Sequence, residues 1–600
     1  MTGLDTETHR GRIVLIATPR NDLELWRYKP GQQWHVLIEW LRIEDTRFCC
    51  WNADYDIQAA LKLLDLFTNE TIMRRTSASY GRYRIRFVPS KFLRVGVVHG
   101  KQIKTLFTIY DLCQFYASSL EKAASKILGK SKTNPGVEWG KLLEALRRGD
   151  AKAQAIRAYC RNDASLCERL YTHSQRAMKA AGVNFDKPIS CASIAVQKFS
   201  KSMTHEVPRY INNAFEETYR GGRIECLKVG YFPKAYLYDI HSAYPSAMAA
   251  LPSTAGQWLP IEKSPRPDAV YAALQVTLRV PLSEYRCPIP VKGESQLMYP
   301  TGQWSQWVDL DTFRLLEESD MIRKVRRGFQ LVVTDGIKRP FAELAEMYQE
   351  RQRQPLSSWA LKIIMNALYG KVAERIGKWF PTMFVNRESE AWRGNFWARK
   401  EQWTKRTNFV YASAITSQIR QRLYRELDAS KVVFYATDGV MTTEPLRQLA
   451  TGEGLGEWSP GELVFDLIVV GSGVYTYRAT HCEKCKAIWT DNRTACPACG
   501  ESCVHTKIRG FEVGLDLVTL LDRRRRVLTL NVRRNWTLAQ VIRQRKYAMF
   551  NELVDVPRYL DVMFDKKRIW EKSRTGRDLL KRSFESRPWA HYPDVGWKEF

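Results

Sequence analysis

What this sequence lacks narrows its class before any motif is considered. None of its apolar runs reaches the roughly 20 residues that a membrane-spanning helix needs, so no membrane partner is expected. No secretory apolar core or transit-like stretch opens the chain, where an acidic strand begins within five residues of Met1. No repeat of fixed period and no low-complexity tract occurs, which excludes solenoids and arrays. Acid is also scarce: 64 Asp and Glu face 93 Lys and Arg, leaving a formal charge of +29. Such an excess produces a long-range field suited to a polyanion, and 19 Trp and 27 Tyr add stacking surfaces. A membrane-surface protein would concentrate the charge on one amphipathic helix, whereas here it is spread along the chain. Nucleic acid is the expected partner.

At 600 residues the chain is too long for one core and is expected to form several domains. Eight of its thirteen cysteines lie singly, or as Cys49-Cys50, inside apolar segments, as buried thiols of a reducing compartment do. The first ~180 residues alternate strand-like and helix-like segments, the pattern of an α/β domain. "RIVLIAT" and "RFCCWN" read as strands, and "DIQAALKLLDLF" and "AKAQAIRAYCRNDASLCERLYTHSQRAM" as helices. "KPISCASIAVQKF" reads as a connector. Strands follow at "AYLYDIHSAY" and "VYAALQVTLRV", helices from Lys338 to Val372, and strands again at "KVVFYATDG", "GVYTYRA" and "HTKIRGFEV". Beyond "DRRRRVLTLNVRR" the chain is expected to be helical and basic.

Two sets of carboxylates stand out. In "GLDTETH", Asp5 and Glu7 share one face of a strand and repel each other unless a cation lies between them. "WNADYDIQ" supplies Asn52, Asp54 and Asp56, and "AYCRNDA" stacks Tyr159 over Asp163 on a helix. Taken singly, Asp5 is a strand-end acid and Asp163 a solvated helix residue. Together, four acids could hold two divalent ions and hydrolyse a phosphodiester, with Tyr159 orienting the attack. In the second set, "YLYDIHSAYPSAM" carries Asp239 at the end of an apolar strand, with Tyr244 beyond it. "LKIIMNALYGK" sets Lys362, Asn366, Tyr369 and Gly370 along a helix, the first three on one side. "KVVFYATDGVMTT" places Asp438 before a glycine, a strong hairpin signal. Two acids, a helix-borne lysine and a flat aromatic suit nucleotidyl transfer.

In this order the stretches resemble the motifs of family B DNA polymerases. Asp5/Glu7, Asn52/Asp56 and Tyr159/Asp163 resemble the three exonuclease motifs, with Asp54 outside the match. The resemblance implies a 3′→5′ proofreading domain of ribonuclease-H-like fold. The stretches at Asp239, Lys362–Gly370 and Asp438 resemble polymerase motifs A, B and C. Motif C here reads Ala436-Thr437-Asp438-Gly439, so its first acid is absent; motif A has Ala243 for leucine and motif B has Ala367 for serine. "YRGGRIE", with Tyr219, Gly221 and Gly222, resembles the segment linking exonuclease and polymerase domains in the protein-primed branch. "KIRG", with Lys507, resembles that branch's late palm lysine motif, and "YPTGQW" also has a family B character.

The remaining five cysteines need their own account. Cys482-x-x-Cys485 and Cys496-x-x-Cys499, ten residues apart, have the spacing of a tetrahedral zinc ribbon, with Cys503, His481 and His505 outside the ligand set. Gly377 to Asn408 is dense in Trp, Phe, Arg and Lys. It reads equally as a strand-displacing insertion of the resembled branch, with Trp392, Phe396, Trp397, Arg399 and Trp403 flanking a strand, or as a surface hairpin. Arg523, Arg524, Arg525 and Arg526, with Arg543, Arg545 and Lys546, suit a thumb gripping duplex phosphates.

The expected architecture is an α/β multi-domain chain: a ribonuclease-H-like exonuclease domain followed by a right-hand polymerase, plus a small zinc ribbon. Its parts are an exonuclease domain (1–185), first palm part (186–335), fingers (336–375), insertion (376–408), second palm part with a ribbon at 481–505 (409–515) and thumb (516–600). The resemblance implies a DNA-directed DNA polymerase of a virus or mobile element, working with Mg2+ or Mn2+ and a structural Zn2+. Asp239 and Asp438 would hold the polymerase ions, and Asp5, Glu7, Asp56 and Asp163 the exonuclease ions. Tyr244, Lys362, Asn366, Tyr369 and Gly370 would bind nucleotide; Tyr219, Gly221, Gly222, Asn52, Lys507 and Arg523 to Arg526 would bind DNA. Template, primer and deoxynucleoside triphosphates are the implied partners, with a terminal priming protein as a candidate, for a monomer in a prokaryotic cytoplasm or associated with virus. Two alternatives stay open: an exonuclease with an impaired polymerase site, and a non-catalytic nucleic-acid-binding replication protein.

Overall fold

A computed structural model describes the chain apart from residues 101, 204–206, 294–295, 334–335, 386–391, 509–515, 523–526, 537–539, 542–543, 545, 547–548, 551, 571–573, 593–595 and 599–600. It gives backbone alone across 376–402 and at 74, 528, 530, 533–535, 553, 592 and 596–598. Contacts divide the chain into two compact units. The first comprises Met1–Ser200, Gln349–Thr404 and Arg533–Val556; the second comprises Lys201–Tyr348, Lys405–Val532 and Pro557–Phe600. The α/β class expected from the sequence is the class observed.

In the first unit the opening segment is the hinge of two ladders. Thr2–Gly3 runs parallel to Arg47–Cys50, which runs parallel to Gln102–Asp111. Two residues on, Asp5–His9 pairs antiparallel with Arg12–Ala17, and that strand with Asp22–Glu24. Three antiparallel strands continued by two parallel ones is the strand arrangement of the expected ribonuclease-H-like domain. Antiparallel strands Phe92–His99, Tyr83–Val88 and Ser77–Tyr80 extend the sheet beyond Gln102–Asp111. The helix Ala151–Ala180, capped by Asp150, lies against the opening strand. Gly3 makes that approach feasible, since a Cβ there would lie 1.8 Å from the Ala164 carbonyl oxygen.

The second unit is built on an eight-stranded sheet. Along it run Arg223–Cys226, Val432–Thr437, Gly439–Thr442, Lys228–Asp239, Glu462–Gly471, Val474–Ala479 and Val504–Ile508. Ser583–Glu585 pairs with the start of Lys228–Asp239. A second sheet centres on Ile322–Val332, Ala269–Val280 and Thr301–Asp309. The helix Phe409–Arg425, capped by Asn408, contacts three other helices of this unit, Arg209–Thr218, Ala243–Ala250 and Leu310–Glu318.

Several local expectations change. The "DIQAALKLLDLF" helix ends at Leu61, and a new one, Leu66–Arg75, starts from an Asp65 cap that bonds Thr68. The "KPISCASIAVQKF" connector contains the helix Cys191–Phe199, because Ser190 and Ser193 cap it reciprocally. The segment from Gly377 lies in an antiparallel strand pair, Arg375–Val385 with Trp392–Trp403, a backbone that fits either reading of it; its side chains from 376 to 402 lie outside the described residues. The end of the chain is not the expected helical segment. Val527–Asn535, Leu553–Asp561 and Ser583–Glu585 are strands, in keeping with the β-branched alternation of "VLTLNV", and Gly576–Lys581 is a short helix.

A buried charge triad ties distant parts of the second unit together. The Arg223 guanidinium donates to Glu225 Oε2 at 2.6 and 2.9 Å, and Arg568 Nη1 donates to Glu225 Oε1 at 3.1 Å. All three residues are about 1% exposed or less. Arg223 also stacks between Tyr299 and Tyr435, at 4.2 and 4.6 Å. Burial alone would raise the Glu225 carboxyl, but the two guanidinia outweigh it and hold it below the ordinary range. Replacing Glu225 with Ala strands two cations in the core and is expected to cost about 3–5 kcal/mol, read by urea denaturation. An unchanged midpoint would show that the triad does not stabilise this unit.

Candidate active sites

The first unit gathers the first carboxylate set. Asp5 and Glu7 come from one strand, Asp56 from the helix Ala53–Leu61 and Asp163 from the helix Ala151–Ala180. Ligand atoms of Asp5, Glu7 and Cys160 fall within 4.8 Å of one another. The Thr6 hydroxyl donates to Asp56. Burial pushes Glu7 up to about 8, reinforced by Asp163 and Asp56. Burial also raises Asp56 to about 7, against the pull of the Thr6 hydroxyl. Asp5 and Asp163 rise for the same first reason. Four acids, Asp56 and Asp163 buried and Asp5 and Glu7 half-buried, all with raised carboxyls, are a donor set that a divalent cation would relieve.

Sequence reasoning missed Lys132. Its ammonium lies 2.5 Å from Asp163 Oδ2 and 5.0 Å from the centre of the Tyr159 ring. Burial works against its charge, but Asp163 and Tyr159 outweigh that and raise its pKa. Lys132 sits in an irregular stretch, "GKSKTNPG", with no periodicity to mark it. Asp111 was also missed. It accepts the amide N–H groups of Asn52 (3.1 Å) and Cys113 (2.8 Å), and so fixes the left-handed turn at Asn52 (φ 56°) that starts the Asp56 helix. Asp54, outside the motif match, accepts instead from the Ser90 amide and hydroxyl.

The second unit brings Asp239 and Asp438 together at one end of its large sheet. Asp239 ends its strand directly opposite Gly439, and the Ile240 amide donates to the Asp438 carbonyl at 3.1 Å. Ser459 brackets Asp239: its hydroxyl accepts the Asp239 amide and its amide donates to the Asp239 carbonyl. The hairpin turn differs from the expected Asp-Gly. Ala436 pairs with Gly439, so Thr437 and Asp438 form the turn and Thr437 takes the left-handed conformation (φ 74°). Gly439 serves another purpose: a Cβ there would stand 3.2 Å from an Asp239 carboxylate oxygen. Burial raises the Asp438 carboxyl above its ordinary value.

Tyr244 lies on the helix Ala243–Ala250 that follows Asp239. Burial and then the Asp438 charge push its hydroxyl up to about 12. Gly222 packs against this corner, where a Cβ would meet Thr437 Cγ2 at 2.5 Å and the Tyr244 hydroxyl at 2.8 Å. Arg420 donates to the Arg220 and Gly221 carbonyls at 2.7 and 2.9 Å and thereby holds the Tyr219–Gly222 loop, a contact no local motif announced. Lys507 is exposed on Val504–Ile508, opposite Tyr475. Lys362, Asn366 and Gly370 form an exposed stripe with half-buried Tyr369 on the helix Pro355–Val372, which belongs to the first unit. Arg523 to Arg526 lie outside the described residues.

Between Val474–Ala479 and Val504–Ile508 the chain forms the cysteine ribbon. Ligand atoms of Cys482, Cys485, Cys496 and Cys499 all lie within 4.8 Å of one another, with Cys482–Cys499 at 3.6 Å and Cys485–Cys496 at 3.4 Å. A tetrahedron of 2.3 Å zinc–sulfur bonds has edges of about 3.8 Å, so these thiols fit zinc. The Cys485 amide, foremost among its neighbours, lowers the Cys482 thiol to about 6. Cys503 packs inside the ribbon beside Trp489, apart from the four ligands.

Residues 146–423 match the sequence model of the family described as DNA polymerase type B, organellar and viral. A DNA polymerase of Acidianus bottle-shaped virus (isolate Italy/Pozzuoli) is 24% identical over 286 residues, covering 44% of this chain and 39% of that relative. The chain thus spans about two-fifths of the length of that relative. Among solved structures, phi29 DNA polymerase complexed with primer-template DNA superposes with a TM-score of 0.67 at 13% identity, covering 93% of this chain and 99% of that one. The phi29 ternary complex with incoming nucleotide substrates gives 0.66, covering 94% and 99%. Among the described residues no helix is long and apolar enough to cross a membrane.

The raised acids of the first unit predict a pH dependence for the metal-free chain. Glu7 and Asp56 release protons near 8 and 7 when folded but near their ordinary values, 4.5 and 3.8, when unfolded. The folded state therefore binds more protons between about pH 4 and 8, and stability falls as pH rises through that window. In EDTA, the melting temperature of the first unit is expected to decline from pH 5 to pH 8, and Asp56→Asn to flatten the decline. A flat wild-type profile would show that these acids are not strained by burial.

Proposed function

We propose that this chain is a type B DNA polymerase that copies a DNA template by adding deoxynucleotides to a primer 3′-hydroxyl and proofreads by 3′→5′ excision, a reading supported by the match over residues 146–423 and by the likeness in fold. The observation that carries the reading is the pairing of Asp239 with the Asp438 hairpin at one sheet end, in a chain that separately sets Asp5 and Glu7 within reach of the Asp56 and Asp163 charges. Divalent ions held by Asp239 and Asp438 would activate the primer hydroxyl and neutralise the triphosphate, and those held by the first set would activate water. Asp239 and Asp438 would fix the reacting ends from a strand end and the adjoining hairpin turn, with Ser459 holding the Asp239 main chain and Gly439 leaving room beside its carboxylate. Tyr244 would present a flat, immobile face to the incoming sugar. Lys362, Asn366, Tyr369 and Gly370 are assigned to the nucleotide through their motif. Tyr159 and Lys132 would orient the phosphodiester to be cut, with Asn52 holding the strand.

DNA contacts are assigned to Tyr219, Gly221, Gly222 and Lys507, and to Arg523 to Arg526 through composition alone. The domain boundaries keep their motif-based assignment, with exonuclease at 1–185, palm at 186–335 and 409–515, fingers at 336–375, insertion at 376–408 and thumb at 516–600. Priming from a protein hydroxyl, replication of a viral or mobile-element genome and action as a monomer complete the reading. A second reading, an exonuclease with an impaired polymerase site, draws on Ala436, which leaves motif C with one acid. Primer extension in Mg2+ and in Mn2+ separates the two.

Asp239→Ala and Asp438→Ala are each expected to reduce extension to background while leaving excision intact. The pair Asp5→Ala with Glu7→Ala is expected to do the reverse. Extension surviving either first change sinks the polymerase assignment, and excision surviving the second sinks the nuclease assignment. Zinc at the four cysteines is expected at one ion per chain by elemental analysis, lost in Cys482→Ser with Cys496→Ser. A zinc-free wild-type chain purified without chelator would refute the metal assignment.

A further inference from the structure

The outer face of the extended sheet in the first unit carries charge that its own fold does not neutralise. Arg84 and Arg86 project from Tyr83–Val88, and Arg94 from Phe92–His99, on the side opposite the buried Tyr83, Ile85, Phe87, Leu93 and Val95. Arg86 and Arg94 stand directly opposite each other across the strand pair, a like-charge juxtaposition that opposes sheet formation. Both guanidinia rest on the Phe92 ring, at 5.5 and 5.4 Å. Arg84 is held by the Ser77 and Ser79 hydroxyls at 3.0 and 3.2 Å, and Arg94 by the Thr108 hydroxyl at 3.3 Å. Among the described residues, no ion pair joins Arg84, Arg86 or Arg94 to an acid. These three, with Arg75, line a cleft of about 470 Å³ that has no acidic residue in its wall. Gly96, opposite Arg84, lets Ile103 of the cleft wall pack onto its backbone, where a Cβ would stand 2.9 Å from Ile103 Cγ2.

Neutral hydroxyls and an aromatic face orient these guanidinia without discharging them. A fold that sets Arg86 and Arg94 opposite each other and, among the described residues, pairs neither them nor Arg84 with an acid accommodates an anion there at little reorganisation. The cleft has small-molecule dimensions, which suits a few linked phosphates of one strand rather than a duplex. The proposed catalytic acids do not line it. We infer that this cleft is an accessory binding site for the phosphate backbone of single-stranded DNA, separate from both candidate active sites. The inference rests on the nucleic-acid part of the proposed function and not on its chemistry.

The test uses the full chain in EDTA and fluorescence anisotropy of labelled (dT)30 across a salt series. The triple variant R84Q/R86Q/R94Q is expected to bind about ten-fold more weakly, with the salt slope reduced by about 2, from roughly 0.7 per lost phosphate contact. A triple Lys variant is expected to retain most of the binding and the slope, because phosphate contact needs the charge more than the fork. The Gln variant is expected to melt no lower than wild type, since it removes repulsion; if it melts lower, the Lys variant and single Arg86→Gln carry the binding test. Unchanged (dT)30 affinity and slope in the Gln variant overturn the inference. So does an equal loss for a 30-base-pair duplex, which assigns the cleft to duplex, or a loss for heparin with (dT)30 unchanged. Primer extension on a short primer-template is measured alongside: its absence in wild type with (dT)30 binding still dependent on the arginines would fail the polymerase reading and leave this one standing.

Discussion

The second unit depends on one strand. Lys228–Asp239 is bonded along its length to Glu462–Gly471, at its start to Ser583–Glu585 and at its end to Gly439–Thr442. Because strand register alternates side chains between faces, a one-residue slip here would turn Asp239 to the opposite face. Three partners make that slip costly, and the Ser459 bridge fixes the last residue from outside the ladder. The position of one carboxylate is thus the consequence of pairings that reach from residue 228 to residue 585. The buried triad Arg223–Glu225–Arg568 closes the same circuit, since Glu225 lies on the strand paired with Val432–Thr437 and Arg568 near the chain end. Each of its charges depends on the others, because losing one partner leaves the rest buried and unpaired, so the three segments that carry them are tied to one another.

The two carboxylate sets pose different electrostatic problems in a chain poor in acid. Asp5, Glu7, Asp56 and Asp163 crowd together; burial raises all four, and repulsion within the set adds to it at Asp5 and Glu7, with Lys132 as the cation among them. Asp438 is raised by burial, with no second acid among the causes. The first set is therefore more strained in the absence of metal. Gly3 is the steric counterpart: without its missing side chain, the helix carrying Tyr159 and Asp163 could not reach the strand carrying Asp5.

Much of this was legible because the signals are local. Short continuous apolar runs at "RIVLIAT" and "KVVFYAT", helical spacing at 151–180 and paired Cys-x-x-Cys knuckles each fix an element from its own residues. The acids were legible as sets because chain order matched a family pattern. What stayed hidden depends on partners far along the chain. Lys132 gains meaning only beside Asp163, Arg420 only beside the carbonyls of 220 and 221, and Arg568 only beside Glu225. The terminal strands were misread because Arg-rich composition masked the β-branched alternation. The hairpin turn was placed one residue late because Asp-Gly is so strong a signal, while backbone pairing put the left-handed residue at Thr437.

Ala436 is where sequence pattern and packing argue most closely. A second acid there would complete the family motif, yet the residue pairs with Ile224 on one side and Gly439 on the other. Its methyl group packs against the apolar cluster that includes Phe434, Met441 and Val464. An aspartate at this position would desolvate against that cluster and sit beside the already raised Asp438, adding a charge that burial disfavours. Alanine removes that cost and leaves the turn, the register with Gly439 and the neighbouring Asp239 unchanged. The departure is thus compatible with a site whose geometry is set by the backbone pairing of two strands rather than by the number of acids at the turn.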